Sequence, residues 1–412
     1  MSHVSNRAIR VLVLVGLLAA CRPAESLPTP PDVLRIATYN IEDVRTADLK
    51  NPAHPRLKAA AALIQHLRPD VLLINEMTYD QPGDPGYTPG DPEGQNARRF
   101  AEAFLAVAQA DSLEPLHYRP FMAPTNTGLA SGFDLDNDGR AVTTVPTLPA
   151  TTADGSPPPQ TPEGRAYGND AWGFGMYPGQ YGMALFIREG LTIREEEVRT
   201  FRLLPWSRMP GALRPVDPET GTPWYDDAEW AVFRLSSKSH WDVPVHLPGG
   251  GVIHVLASHP TPPAFDGPEG RNKRRNHDEI RFWADYLDGA AYIVDDEGAS
   301  GGLDAGAAFV IVGDLNADPD EGSALGNPIQ TFLLDHARIN GDVVPRATPA
   351  GLAAYPDLDP DDTAEWGLRI DYVLPSENLR VREAGIVRPD PAAGGLPVSD
   401  HFMVWIDVDL PR

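Results

Sequence analysis

Hydrophobic positions along this chain recur in two periods, close to two and close to 3.6 residues, and segments of the two kinds take turns. Val33 to Tyr39 alternates as a half-buried strand. Arg56 to Leu67 is an alanine-rich helical run, and Val71 to Ile74 is apolar throughout, as a strand covered on both faces would be. Ala97 to Ala110 predicts a second helix and residues 272–287 a long third one. Further strands are expected at Met183 to Ile187, Leu191 to Leu203, Trp230 to Leu235, Val252 to Ser258 and Phe309 to Val312. Three more are expected at Arg369 to Leu374, Arg380 to Val387 and Met403 to Val408. No unit of solenoid or propeller length repeats, so the alternation predicts an α/β class. Residues 123–180, rich in Pro, Gly, Thr and Asp with little periodicity, read as an elaborated surface insertion. No linker interrupts 33–412, which is expected to be one domain.

The first residues follow a different pattern. Arg7 and Arg10 precede an apolar run from Val11 to Ala20, too short to span a bilayer comfortably, and Cys21 follows at once. Leu18-Ala19-Ala20-Cys21 resembles the lipobox of bacterial lipoproteins, which implies removal of residues 1–20 and lipidation of Cys21. The alternative is an ordinary signal peptide with a coincidental cysteine. Either one predicts an extracytoplasmic protein, and the lipobox places it in the bacterial cell envelope. Pro-rich residues 21–32 are expected to be a tether between anchor and domain.

Composition narrows the functional classes. Cys21 is the single cysteine of 412 residues, so its lipidation would leave no thiol for disulfides, nucleophilic catalysis or zinc. Net charge is −24, and loss of Arg7 and Arg10 on processing would bring it to −26. Such a field opposes long polyanions, so no stable nucleic-acid partner is expected. A folded body that needs no covalent stapling and functions as a monomer is expected. With 43 prolines and 37 glycines, ordered loops should carry much of the specificity.

Carboxylates, amides and histidines fall where apolar strands end. Asn40 and Glu42 follow the first strand, Asn75 and Glu76 the second. His259 follows VIHVLAS, and Asp314 and Asn316 follow FVIVG, two residues apart and therefore on one side of an extended segment. Asp371 interrupts an apolar run and, if buried, needs a partner that a histidine could supply. Asp400 and His401 precede the last strand. In this order the motifs TYNI, NE, GDLNADP, RIDYV and SDH resemble the endonuclease/exonuclease/phosphatase superfamily, whose type members are deoxyribonuclease-I-like. The resemblance spans residues 38–401.

It implies a four-layered α/β/β/α sandwich of two packed mixed sheets, a divalent cation, usually magnesium with manganese as the alternative, and hydrolysis of a phosphate ester. Glu76 is then the expected principal metal ligand, with Asn40 and Asp400 nearby directly or through water, and Glu42 in reserve. Asp314 would orient or deprotonate the attacking water and Asn316 would hold the phosphate. His401 would contact the phosphoryl group, with Asp371 holding its ring, and His259 would be a candidate acid for the leaving group. The chain departs from the nuclease pattern at Gln180, where those enzymes carry a glutamate that pairs with the second histidine. Ile370-Asp371-Tyr372 also departs from the aromatic-Asp-Arg motif of the inositol phosphatases. The substrate stays open between nucleic acid, a phospholipid headgroup and a soluble phosphoester. The resemblance also leaves open diester against monoester, and a catalytically silent, ligand-binding lipoprotein.

Two features stand apart from that set. Asp134, Asp136 and Asp138, closed by Gly139, resemble the first half of a calcium loop, although Val145 occupies the position of the distal glutamate. Calcium and a plain surface turn both fit. Arg271, Lys273, Arg274 and Arg275 form the densest basic run, either a patch that draws an anionic substrate or a solvated helix face paired with Asp278 and Glu279.

Overall fold

The computed structural model describes residues 32–390 and 398–410. The expected signal segment, Cys21 and all of the tether except Asp32 lie outside the described residues. In chain order the elements are β1 (Val33–Val44), α1 (Thr46–Leu49), α2 (Pro55–Leu67), β2 (Val71–Met77), α3 (Asn96–Phe100), β3 (Tyr118–Phe121), α4 (Pro162–Asn169) and β4 (Met183–Arg188). There follow β5 (Thr192–Ile193), β6 (Arg199–Thr200), α5 (Asp227–Val232), β7 (His240–His246), β8 (Val252–Ser258) and α6 (Arg271–Leu287). The last are β9 (Ala308–Asp314), α7 (Pro349–Ala354), β10 (Asp371–Pro375), β11 (Val381–Val387) and β12 (Met403–Asp409).

Two mixed six-stranded sheets result. The first runs β11-β12-β1-β2-β4-β3, the second β10-β9-β8-β7-β5 with β6 also on β7. The only parallel pairs between these strands are β1 with β2 and β8 with β9. Strand periodicity then sorts side chains into layers. Leu34, Ile36, Val71 and Leu73 from one sheet meet Val243, Val255, Val310 and Val373 from the other in a dry inter-sheet core. Their neighbours Ala37, Tyr39, Leu72 and Ile74 face outward against Leu57, Ala60 and Ile64 of α2. On the far side Leu256, Phe309 and Ile311 carry Ile280, Trp283 and Leu287 of α6. The order is α/β/β/α, as the resemblance implies. No helix among the described residues is long and apolar enough to cross a membrane.

Several expected elements differ. Trp230 to Leu235, read as a strand, is half helix: α5 runs through Val232, and beyond it only Arg234 makes an isolated bridge, with Pro205. Asp226 accepts the backbone N–H groups of Ala228 and Glu229, and the Glu229 carboxylate accepts the Asp226 N–H, a reciprocal cap that commits the segment to helix. Leu191 to Leu203 is not one strand but β5 and β6 divided by a 3₁₀ turn at Glu195–Glu197. The helix expected over Ala97 to Ala110 is the short α3 followed by a π-helical turn, Ala101–Leu105. β3 and β7 are additional strands, each containing a proline.

Candidate active site

The strand ends bring Glu42, Glu76, His259, Asp314, Asn316, Asp400 and His401 to one cleft of about 1110 Å³, with Asn40 and Asp371 hydrogen-bonded to members of that lining. β1 supplies the first by breaking its register with β2 between Asn40 and Val44. Within that irregularity Glu42 and Asp43 adopt φ of 53° and 40°, and Glu76 in β2 has φ of 66°. Left-handed conformations at three cleft-lining acidic residues are costly and persist only where the surroundings enforce them. Here they aim backbone and side chains at one carboxylate. Asp43 N–H donates to Glu76 Oε2 at 2.9 Å and Asn40 Nδ2 to Oε1 at 3.0 Å.

Asn40 also joins the two sheets, since Nδ2 lies 3.1 Å from Asp314 Oδ2 at the end of β9. Its carbonyl oxygen accepts the Glu42 N–H, so the amide faces the carboxylates as a donor. That orientation favours steering Glu76 and Asp314 over ligating a cation directly. Asp314 is the shared member of two groups whose ligand-type atoms lie within 4.8 Å of one another, Glu76 with His259 and Asp371 with His401. His259 Nε2 is 3.4 Å from its Oδ2 and His401 Nε2 3.8 Å. Asp371, opposite Asp314 in the β9–β10 register, receives His401 Nδ1 at 2.8 Å, the partner expected for a buried carboxylate. Asn316, with φ of 54°, donates its amide to the Pro260 carbonyl and its backbone N–H to Asp314 Oδ1. Asp400 Oδ1, on a partly exposed side chain, lies 3.9 Å from His401 Nε2.

Electrostatics separates the two histidines. Burial alone would lower His401, but Asp371 and Asp314 outweigh it and raise its pKa, so the pair's proton resides on the imidazole. Burial raises the Asp371 carboxyl. Asp314 is held well below the usual carboxylate range, since His401 and His259 overcome the cost of its burial. His259 shifts down through burial and the Lys238 charge. Its Nδ1 has no partner among the described residues. Gln180 does not supply one: its Nε2 donates to Asp43 Oδ1 at 2.9 Å and its Oε1 accepts the Met176 N–H. Burial thus makes His259 a reluctant proton carrier, with its Nε2 facing Asp314 Oδ2.

Glu42 is pushed up to about 7 by burial, with the charges of Asp400, Glu76 and Asp43 adding to it. Hard oxygen donors gathered this closely, with Glu42 made reluctant to carry its charge by burial and by its acidic neighbours, suit a divalent cation. Glu76 and Asp314 are placed to hold one, with Asp400 and Glu42 bordering them.

Other parts of the cleft were less visible in sequence. Trp366 stands edge-on to the His401 ring with centroids 5.1 Å apart, and Lys238 lines the same cleft although almost fully buried. Residues 157–160 of the expected surface insertion form one of its walls. The basic run at the start of α6 does not pair with Asp278 or Glu279 through its side chains. Arg275 is buried with its guanidinium on the carbonyls of Leu235, Trp172 and Arg234. Asp278 binds Trp206 Nε1 and Glu279 the backbone of Ser237 and Thr261. Arg271 does line the cleft. Asp134, Asp136 and Asp138 converge within 4.8 Å, and their carboxylates take N–H groups of their own loop.

The model of the Endonuclease/Exonuclease/phosphatase family matches residues 37–401. No curated protein matches the chain. Among solved structures, an endonuclease/exonuclease/phosphatase from Beutenbergia cavernae DSM 12333 is 19% identical with a TM-score of 0.48, covering 92% of this chain and 72% of that one. The human Nocturnin catalytic domain with bound sulfate anion is 15% identical with a TM-score of 0.44, covering 92% and 94%. A family protein from Leptotrichia buccalis C-1013-b is 13% identical with a TM-score of 0.45, covering 92% and 100%.

Proposed function

The chain belongs to the Endonuclease/Exonuclease/phosphatase family, and from that premise we propose that it is a divalent-metal-dependent phosphodiesterase or nuclease exported to the cell envelope. The observation that carries this reading is Asp314, which lines the cleft with Glu76, His259 and His401 and is common to the Glu76–His259 group and the Asp371–His401 pair. A bound cation, magnesium or manganese, supplies neutralisation of phosphoryl charge.

The remaining work falls to side chains. Asp314 stays ionised and accepts a hydrogen bond from the attacking water, which it orients toward phosphorus. A carboxylate so strongly stabilised is a poor base, so orientation rather than proton abstraction is its contribution. His401, held protonated by Asp371, donates from Nε2 to a phosphoryl oxygen as charge develops there. Asn316 turns its amide toward the phosphate, and Asn40 keeps Glu76 and Asp314 in register. His259 supports Asp314.

The test assays the purified protein on a chromogenic phosphodiester and a phosphomonoester, with magnesium or manganese, with chelator, and as His401→Ala. Chelator-sensitive turnover that favours the diester is expected, with a loss of about 10²-fold or more in the variant. A parent protein as inert as the variant on a broad phosphoester panel, with every divalent ion, would replace the reading by a ligand-binding one. Export and anchoring form a separate proposal, supported by the pattern that ends at Cys21. Labelled fatty acid should enter the intact protein and not Cys21→Ser.

A further inference from the structure

Lys238 lies two residues before β7, is 6% exposed, and lines the cleft. Its ammonium has three donors, and its one hydrogen bond among the described residues goes to the Pro260 carbonyl at 3.2 Å. No carboxylate of the described residues lies within 4.0 Å of it. A buried cation with two unspent N–H groups is expensive unless an anion joins it. The Pro260 carbonyl also accepts Asn316 Nδ2 at 3.2 Å, so the ammonium and that amide share an acceptor at one corner of the cleft. Thr261 lines the same cleft, and its buried hydroxyl has no partner among the described residues.

This corner is preorganised. β7 and β8 pair with His240 opposite Ser258, which sets Ser237–Lys238 beside His259–Thr261. Glu279, reaching in from α6, staples the two segments by accepting the Ser237 and Thr261 N–H groups, both at 2.6 Å. The donors that remain open are therefore held in place before any ligand arrives, and all suit an anion rich in acceptors.

We propose that Lys238, assisted by the Thr261 hydroxyl, anchors the non-bridging oxygens of the scissile phosphate on the Asn316 side of the cleft. The proposal rests on reading the cleft as a phosphoester site. It makes Lys238 a substrate-contacting residue rather than a structural clamp for the Pro260 carbonyl.

Inorganic phosphate, titrated calorimetrically in the presence of magnesium, separates the two roles. Lys238→Gln keeps an N–H for the Pro260 carbonyl and removes the charge, and its phosphate affinity is expected to fall about ten- to a hundredfold. Lys238→Arg should retain part of the affinity, and Thr261→Val should weaken it less than Lys238→Gln. A folded Lys238→Gln protein that binds phosphate as tightly as the wild type overturns the anchor. If that variant fails to fold, unchanged affinity in Thr261→Val overturns it instead. A wild type that hydrolyses phosphoesters while Lys238→Gln binds normally defeats the anchor alone. A wild type inert on every ester, yet binding phosphate through Lys238, defeats the hydrolase reading alone.

Discussion

His401 is raised to about 10 from 6.5, and the sign of that shift fixes what pH should do. Its pairing contributes stability that is fully present below the unfolded value near 6.5 and is lost as pH rises through about 10. Activity that needs the imidazolium should persist to alkaline pH, and Asp371→Asn should move the alkaline limb of the pH–rate profile toward the ordinary histidine range. An unmoved limb would separate that limb from His401. Gln180 makes the opposite kind of prediction. Gln180→Glu would set a carboxylate against buried Asp43, so it should destabilise by about 1–3 kcal/mol in thermal or denaturant unfolding and give His259 no partner. The Asp371–His401 pair was legible in sequence because an acid inside an apolar run demands a partner. Lys238 was not, because SSKS reads as solvated loop and only the fold turns its stem inward.

Elements were legible where periodicity was uninterrupted and illegible where proline or a local cap broke it. β7 reads HWDVPVH, and Pro244 argues against a paired strand. On one side 241 and 242 pair with β6 and 245 and 246 with β5, so Pro244 falls in the gap between those two strands. Tertiary context permits what local pattern disfavours. Asp226→Ala, which removes the cap of α5, should cost about 1 kcal/mol and leave turnover unchanged, as read by unfolding and steady-state rates. Gly313 is the contrasting case. It has φ of 140°, and a Cβ there would stand 2.0 Å from the Ser258 carbonyl oxygen, immediately before Asp314. β8 and β9 approach that closely only without a side chain, so Gly313→Ala should lose about 1–3 kcal/mol of stability and displace the catalytic carboxylate, lowering kcat as well.

At the scale of the whole molecule, charge and cleft point the same way. The chain carries −24, and the cleft is lined by Glu42, Asp43, Glu76, Asp314, Asp318 and Asp400 against the cations Arg165, Lys238, Arg271 and Arg275. A small phosphoester meets this field with one or two charges, and a buried lysine beside a bound dication can offset them. A long polyanion meets it along its whole length, beyond the reach of the cleft. Screening distinguishes the two, because the Debye length falls from about 10 Å at 0.1 M salt to about 3 Å at 1 M. With magnesium held constant, kcat/KM for a small diester should change little with added salt. The value for long DNA, relative to it, should rise. That sign is opposite to the usual loss of DNA affinity with salt, which comes from phosphates neutralised by a basic surface. A ratio that falls instead would mean that a local positive track guides the polymer despite the overall charge, and Arg271 at the cleft edge would be the first residue to substitute.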